Sequence, residues 1–411
     1  MRDSIREIFI GRQPILDRAH KLVAYELLFR SGRRNAAEVD DELGATASVI
    51  TRAFVDLGIE AALGPYKGYI NCDEELLLSD LLEVLPADKI VLEVLETVAV
   101  TPAVVARCRE LKAAGYTLAL DDFVKDHERL RPLLGIVDIV KVDTMLLDRE
   151  ELLEATRLLQ QWPAQLLAER VESQETVALC HSLGYALFQG YYFAHPSIIA
   201  GKKLGHSQLA LLNLLHMVVD DAETEDLEAV FKQQPGLAVN LLRLTNAAAS
   251  GVRTRITSLR HAISVLGRRQ LYRWLQLLMY TDPAGGEAAG PLMQMAATRG
   301  RLMELLAGKA VPDSRSTEDQ AFMCGILSLM PALMGVAMEE ILQAVGVGSQ
   351  VSAALTEGSG VLGAILDLVI ALEGKDGAAC HDLTSKLPGV DADAVNACHT
   401  QALVWANSIG Q

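Results

Sequence analysis

The stretch from Leu118 to Asp126, LALDDFVKD, ends an apolar run on two adjacent carboxylates, Asp121 and Asp122. Neighbouring anions repel, so such a pair either holds a cation or enters a solvated loop. Other apolar runs end in the same way: Glu26 in LVAYELLFR, Asn71 in KGYINCD, Glu93 in KIVLEVLE, Lys141 in DIVKVD, Glu169 in AQLLAERV and Gln189 in YALFQGYYF. Carboxylate oxygens from four such runs suit Mg2+ or Mn2+, and an aspartate bridging two ions is a common element of two-metal phosphoryl-transfer sites. Lys141 reads either as a solvated charge or as a cation beside a phosphate or an attacking water. Taken singly, each acid is an ordinary cap or turn former. Gln189 before Gly190 starts a turn equally well, and His195 before Pro196 reads as a surface or interface residue.

These residues form one site only if the chain brings the ends of its apolar runs together. Up to about residue 200 the short runs alternate with segments such as 101–114 and 150–161, in which Leu, Val and Ala recur at helical spacing. Strands apolar on both faces and separated by helices predict a parallel sheet, and their number predicts a closed βα barrel, whose strand ends converge on one face. The first two runs, joined by Asp17-Arg18-Ala19-His20-Lys21, read alternatively as an antiparallel hairpin. Beyond residue 203 the strand signal fades and the chain becomes Leu- and Ala-rich and helical. It is punctuated at Gln234-Pro235-Gly236, at 282–286 and at 357–360. The expected organisation is an α/β domain over 1–202 and an all-α domain over 203–411.

Composition narrows the function classes. A chain of 411 residues with 50% hydrophobic residues fills two cores, and a formal net charge of -16 disfavours nucleic-acid polymers and anionic membranes as partners. The six cysteines form no CxxC pair and no zinc spacing, which predicts a reducing, cytoplasmic setting. The first residues, MRDSIREIFIGRQP, carry no apolar signal segment, and no membrane span is expected.

The first half resembles the EAL domain, the family of cyclic di-GMP phosphodiesterases. Tyr25-Glu26-Leu27-Leu28-Phe29-Arg30 stands at the E-A-L-L-R signature, Ile70-Asn71 at the family's asparagine, and Leu92-Glu93-Val94-Leu95-Glu96 resembles L-E-x-T-E. Asp121-Asp122-Phe123 matches D-D-F, Val140-Lys141-Val142-Asp143 resembles I-K-x-D, Ala168-Glu169-Arg170-Val171-Glu172 resembles A-E-G-V-E, and Gln189-Gly190-Tyr191-Tyr192-Phe193 matches Q-G-Y-x-F. The resemblance implies a TIM-like (β/α)8 barrel in which Glu26, Asn71, Glu93, Asp121, Asp122 and Glu169 hold two ions of Mg2+ or Mn2+. By the same resemblance Lys141 assists the nucleophilic water, with Glu26, Asp121 and Asp122 also catalytic, and Arg30 and Gln189 contact the dinucleotide. The implied reaction is hydrolysis of cyclic di-GMP to linear pGpG, in a homodimer.

Three departures from the pattern stand out. Leu27 replaces the signature alanine, which alters packing more than chemistry. Arg170 replaces a glycine, so either the backbone there does not need a positive φ or the metal geometry changes. After Phe123, a Gly- and Ser-rich loop is replaced by Val124-Lys125-Asp126-His127-Glu128-Arg129-Leu130, beside Glu96, the residue implied to support that loop. The altered loop leaves open a second reading, a sensor or protein-interaction module that binds cyclic di-GMP without efficient turnover.

In the second half, Leu241 to Asn246 and Ile256 to Gly267 resemble the HDOD domain, an all-helical relative of HD phosphohydrolases. Where the related pattern reads G-L-L-H-D this chain has Gly325-Ile326-Leu327-Ser328-Leu329, so the metal-binding His-Asp pair is missing. His381-Asp382 reads as a chance pair, and His261 as a packed or capping histidine. The expectation is a non-catalytic regulatory domain whose partner is the barrel, a second copy or another signalling protein.

Overall fold

The computed structural model describes residues 8–31, 63–121, 123, 127–190, 206–234, 237–239, 241–242, 245, 258–280, 291–334, 336–374 and 377–409. The chain divides into two compact units, Met1–Phe193 with Ala371–His381, and Ala194–Ile370 with Asp382–Gln411. In the first, eight strands close a barrel in chain order: β1 (Ile8–Asp17), β2 (Leu22–Ser31), β3 (Lys67–Cys72), β4 (Ile90–Val94), β5 (Thr117–Leu120), β6 (Ile139–Asp143), β7 (Gln165–Glu169) and β8 (Leu187–Phe188). Strands β2 to β8 run parallel, whereas β1 is antiparallel to both neighbours. The reason is local. Asp17 Oδ1 accepts from the backbone N–H of Ala19 and of Lys21, each at 2.8 Å, and His20 takes a positive φ of 58°. A turn this short joins only antiparallel strands, so the hairpin reading holds.

Helices α1 (Glu74–Leu78), α2 (Pro102–Ala113), α3 (His127–Leu134), α4 (Arg149–Leu159) and α5 (Gln174–Ser182) follow strands of the barrel. Their starts are encoded in the sequence. Thr101 caps α2 with Pro102 in its first turn, and Asp148 and Glu151 form a reciprocal capping box on α4. Outward-facing Leu92, Val94, Val140 and Val142 pack with Val104, Leu111, Leu152 and Leu159 of these helices. Inward, a separate apolar cluster gathers Ile15, Ala24, Tyr69, Val91, Ala119, Ile139 and Leu167, one residue from each of seven strands. Because side chains alternate along a strand, the residue two further on faces the same interior. This apolar cluster is the floor of the site described below.

In the second unit the described elements are helices: α6 (His206–Val219), α7 (Thr224–Lys232), α8 (Leu259–Leu278), α9 (Pro291–Ala310), α10 (Arg315–Leu327), α11 (Met330–Met334), α12 (Met338–Val345), α13 (Ser349–Glu357), α14 (Gly360–Glu373) and α15 (Gly377–Ser385), whose residues are divided between the two units, and α16 (Ala392–Ile409). Helices α9 and α10 touch through glycines, since a Cβ on Gly325 would lie 2.7 Å from Gly300 Cα. At the position of the absent histidine, Ser328 Oγ accepts from Arg299 Nη1 at 2.7 Å and donates to Gly325 O at 2.7 Å. His261 is exposed, and its backbone N–H is capped by Ser258 at the start of α8. Asn246 lies outside the described residues. Among the described residues no single helix is long and apolar enough to cross a membrane.

Candidate active site

Above the apolar floor, the interior layer changes character. Two residues beyond Ala24, Tyr69, Val91, Ala119, Ile139, Leu167 and Leu187 stand Glu26, Asn71, Glu93, Asp121, Lys141, Glu169 and Gln189. The same parity that makes the floor apolar thus gathers the predicted residues into one polar layer. Glu26 and Lys141 lie within their strands and not at the strand ends, Glu26 fifth of ten residues in β2 and Lys141 third of five in β6.

The layer is organised around Lys141, whose side chain is 1% exposed. Its Nζ ion-pairs with Glu93 Oε1, with Glu169 Oε1 at 2.7 Å, with Asp121 Oδ1 at 3.0 Å and with Glu26 Oε2 at 3.5 Å. β2 and β6 are four strands apart in an eight-stranded ring, so this contact crosses the barrel, a span suited to the longest straight side chain. Four carboxylates against one ammonium leave an excess of three negative charges in the ionised site.

Amides complete the layer. Gln189 Nε2 donates to Glu26 Oε2 at 2.6 Å and to Gln13 Oε1 at 2.9 Å, and Asn71 Nδ2 donates to Glu26 Oε1 at 3.3 Å. Three acceptor oxygens, Asn71 Oδ1, Glu93 Oε2 and Gln189 Oε1, are buried without a hydrogen-bond donor. Glu26, Glu93 and Glu169 each present a carboxylate oxygen within 4.8 Å of the others, and among the described residues they are the only group of His, Cys, Asp or Glu close enough to share a metal ion. Surplus negative charge, unsatisfied acceptors and three convergent oxygens together form a donor set that fits a hard divalent cation.

Neighbouring backbone holds this layer in place. Asp121 N donates to Val94 O at 2.9 Å, Phe123 N to Lys141 O at 3.0 Å, and Gln189 N to Ala168 O at 2.8 Å. Gly190 follows with a φ of 153°, and a Cβ there would lie 2.2 Å from Val171 N, whose N–H donates to Gln189 O at 3.1 Å. Replacing Gly190 by Ala is therefore expected to cost about 2–3 kcal/mol, read as a lowered urea midpoint, because backbone and not a flexible side chain must move. An unchanged midpoint would show that this close approach is dispensable.

Several predicted residues stand apart. Asp122, the loop 124–126 and His195 lie outside the described residues, as does the side chain of Arg30, whose backbone pairs with Phe9 in the hairpin. Glu96 is exposed, and its carbonyl accepts from Arg129 Nη2 on α3 at 2.7 Å. The charged segment that replaces the glycine-rich loop thus engages the Glu96 turn through its arginine. Gln13 was not among the sequence-predicted residues. β1 runs the opposite way, so the residue above its floor position Ile15 is the one two before it, a signal visible only once the hairpin direction is known.

The EAL domain family matches residues 70–196 and the HDOD domain family residues 206–354. The uncharacterized protein YuxH of Bacillus subtilis (strain 168) is 30% identical over 98% of this chain and 98% of its own. Cyclic di-GMP phosphodiesterase CdgJ of Vibrio cholerae is 30% identical over 100% of this chain and 94% of its own. Among solved structures, the manganese and cy-diGMP complex of Klebsiella pneumoniae BlrP1 is 24% identical, with 46% of this chain and 56% of that chain covered and a TM-score of 0.39.

Proposed function

Because the chain belongs to the family of proteins that join an EAL domain to an HDOD domain, we propose that it is a divalent-metal-dependent phosphodiesterase that hydrolyses cyclic di-GMP to linear pGpG. The observation that carries this reading is the carboxylate layer centred on Lys141. An acidic cleft repels a substrate with two phosphodiesters, so a cation is needed before the anion can approach. Glu26, Glu93 and Glu169 would hold it, joined by Asp121, Asp122 and Asn71 from the predicted ligand set. When bound, Mg2+ or Mn2+ supplies positive charge beside the phosphate oxygens and makes a nearby water more acidic. Lys141 stays among the carboxylates and orients the nucleophilic water. Gln189 and Arg30 engage the dinucleotide.

The reading extends to two ions, a cytoplasmic homodimer and a regulatory helical half. Support for the last comes from Ser328, which stands where a metal-binding histidine is expected and is held by Arg299.

Turnover of cyclic di-GMP by the full-length protein with Mn2+ or Mg2+, with products separated by chromatography, is the test. Linear product is expected from the native chain, and a loss of at least about 10³-fold from Asp121→Ala, which removes a predicted metal ligand and one of the four partners of Lys141. Saturable binding without product would leave the sensor reading in its place.

A further inference from the structure

Arg170, directly after Glu169 at the end of β7, has a φ of 50°. This left-handed conformation is strained for a residue that carries a Cβ. Of the two expected alternatives, a backbone that does not need a positive φ is not the outcome: it keeps the glycine-like conformation and carries an arginine. Something must offset the strain. The guanidinium, on a side chain 44% exposed, lies 3.0 Å from Asp143 Oδ2, on a side chain that is 0% exposed. The N–H is not aimed along that oxygen, so the contact is an ion pair without a hydrogen bond. A buried carboxylate without a counter-charge is strongly destabilising.

The ion pair joins the strand ends that carry the chemistry. Asp143 is two residues beyond Lys141, pairs in register with Glu169, and its Oδ1 accepts from Met145 N at 2.8 Å. Thr144 donates to Glu169 O through Oγ1 at 2.8 Å and through its backbone N–H at 3.2 Å. On the other side of Arg170, Val171 N holds Gln189 O. Lys141, Glu169 and Gln189 thus share one tie across β6, β7 and β8.

We propose that Arg170 is a positioning residue of the candidate metal site: by neutralising Asp143 it locks the ends of β6 and β7, so that Glu169 and Lys141 hold the geometry a divalent cation requires. This rests on the metal reading above, which the experiment tests separately. Free Mn2+ is followed by electron paramagnetic resonance in titrations of the full-length protein, which reports affinity independently of turnover. Arg170→Gly relieves the φ strain but strips Asp143 of its cation, and is expected to raise the Mn2+ Kd about tenfold, the effect typical of a lost outer partner. Arg170→Lys keeps the charge and is expected to stay within about threefold of the native protein. In Arg170→Gly with Asp143→Asn nothing needs neutralising, and affinity is expected to return to within about threefold. That double variant is informative even if the single one fails to fold.

An unchanged Kd in Arg170→Gly, or an equal loss in the double variant, overturns the proposal and leaves the metal reading intact. A native protein that binds no Mn2+ overturns both.

Discussion

Replacing Lys141 by Met is expected to lower the melting temperature of the metal-free barrel by about 10 °C and to abolish turnover. The methionine fills nearly the same space without the charge, so the effect isolates electrostatics. Lys141 ion-pairs with Glu26, Glu93, Asp121 and Glu169, and three of these carboxylates are almost wholly buried. Removing one partner of a buried ion pair costs about 3–5 kcal/mol, and in a unit of this size each kcal/mol corresponds to about 2–4 °C. Mn2+ should then stabilise the variant more than the native chain, because the cation now relieves repulsion that the ammonium had relieved. Melting curves with and without Mn2+ check this. Equal melting temperatures in the metal-free state would mean that the lysine is not the counter-ion of the layer.

Glu26→Ala is expected to reduce turnover by at least about 10³-fold and to weaken Mn2+ binding in parallel. Partners of metal ligands already cost about 10–100-fold when removed, and a ligand lies one step closer. Glu26 also accepts from both Asn71 and Gln189. Its loss removes the acceptor of Asn71 Nδ2 and leaves Gln189 Nε2 held by Gln13 Oε1 alone. Product chromatography and Mn2+ titration of the same preparation give both numbers. Activity within tenfold of the native protein would place the reaction elsewhere. Mn2+ binding that survives while turnover vanishes would instead restrict Glu26 to substrate orientation.

Why the candidate residues were legible in the sequence follows from barrel geometry. An apolar run broken by one polar residue is conspicuous, and a period of two puts that residue directly above an apolar one on the same wall. Ala24 and Glu26, or Ile139 and Lys141, show the pattern within three residues. What stayed hidden depends on direction or on partners distant in sequence. Gln13 sits before its floor residue and not after it, because β1 is reversed. The ion pair of Arg170 joins two strands separated by more than twenty residues, and sequence shows only a missing glycine. Glu96 matches its motif by spacing, yet its side chain is exposed and its carbonyl is what Arg129 reaches. Local patterns report which face a residue occupies. They do not report which neighbour its side chain meets there.

The reversed first strand also determines where the barrel is wired to the rest of the polypeptide. Ile8 pairs with Ser31, so the chain enters β1 at the rim where β2 ends, and β8, parallel to β7, leaves by the same rim just after Gln189. A fully parallel barrel would take its incoming segment at one rim and release its outgoing segment at the other. Here the first residue of β1 and the last of β8 lie at one rim, the rim of the polar layer in which the diester is proposed to be cut.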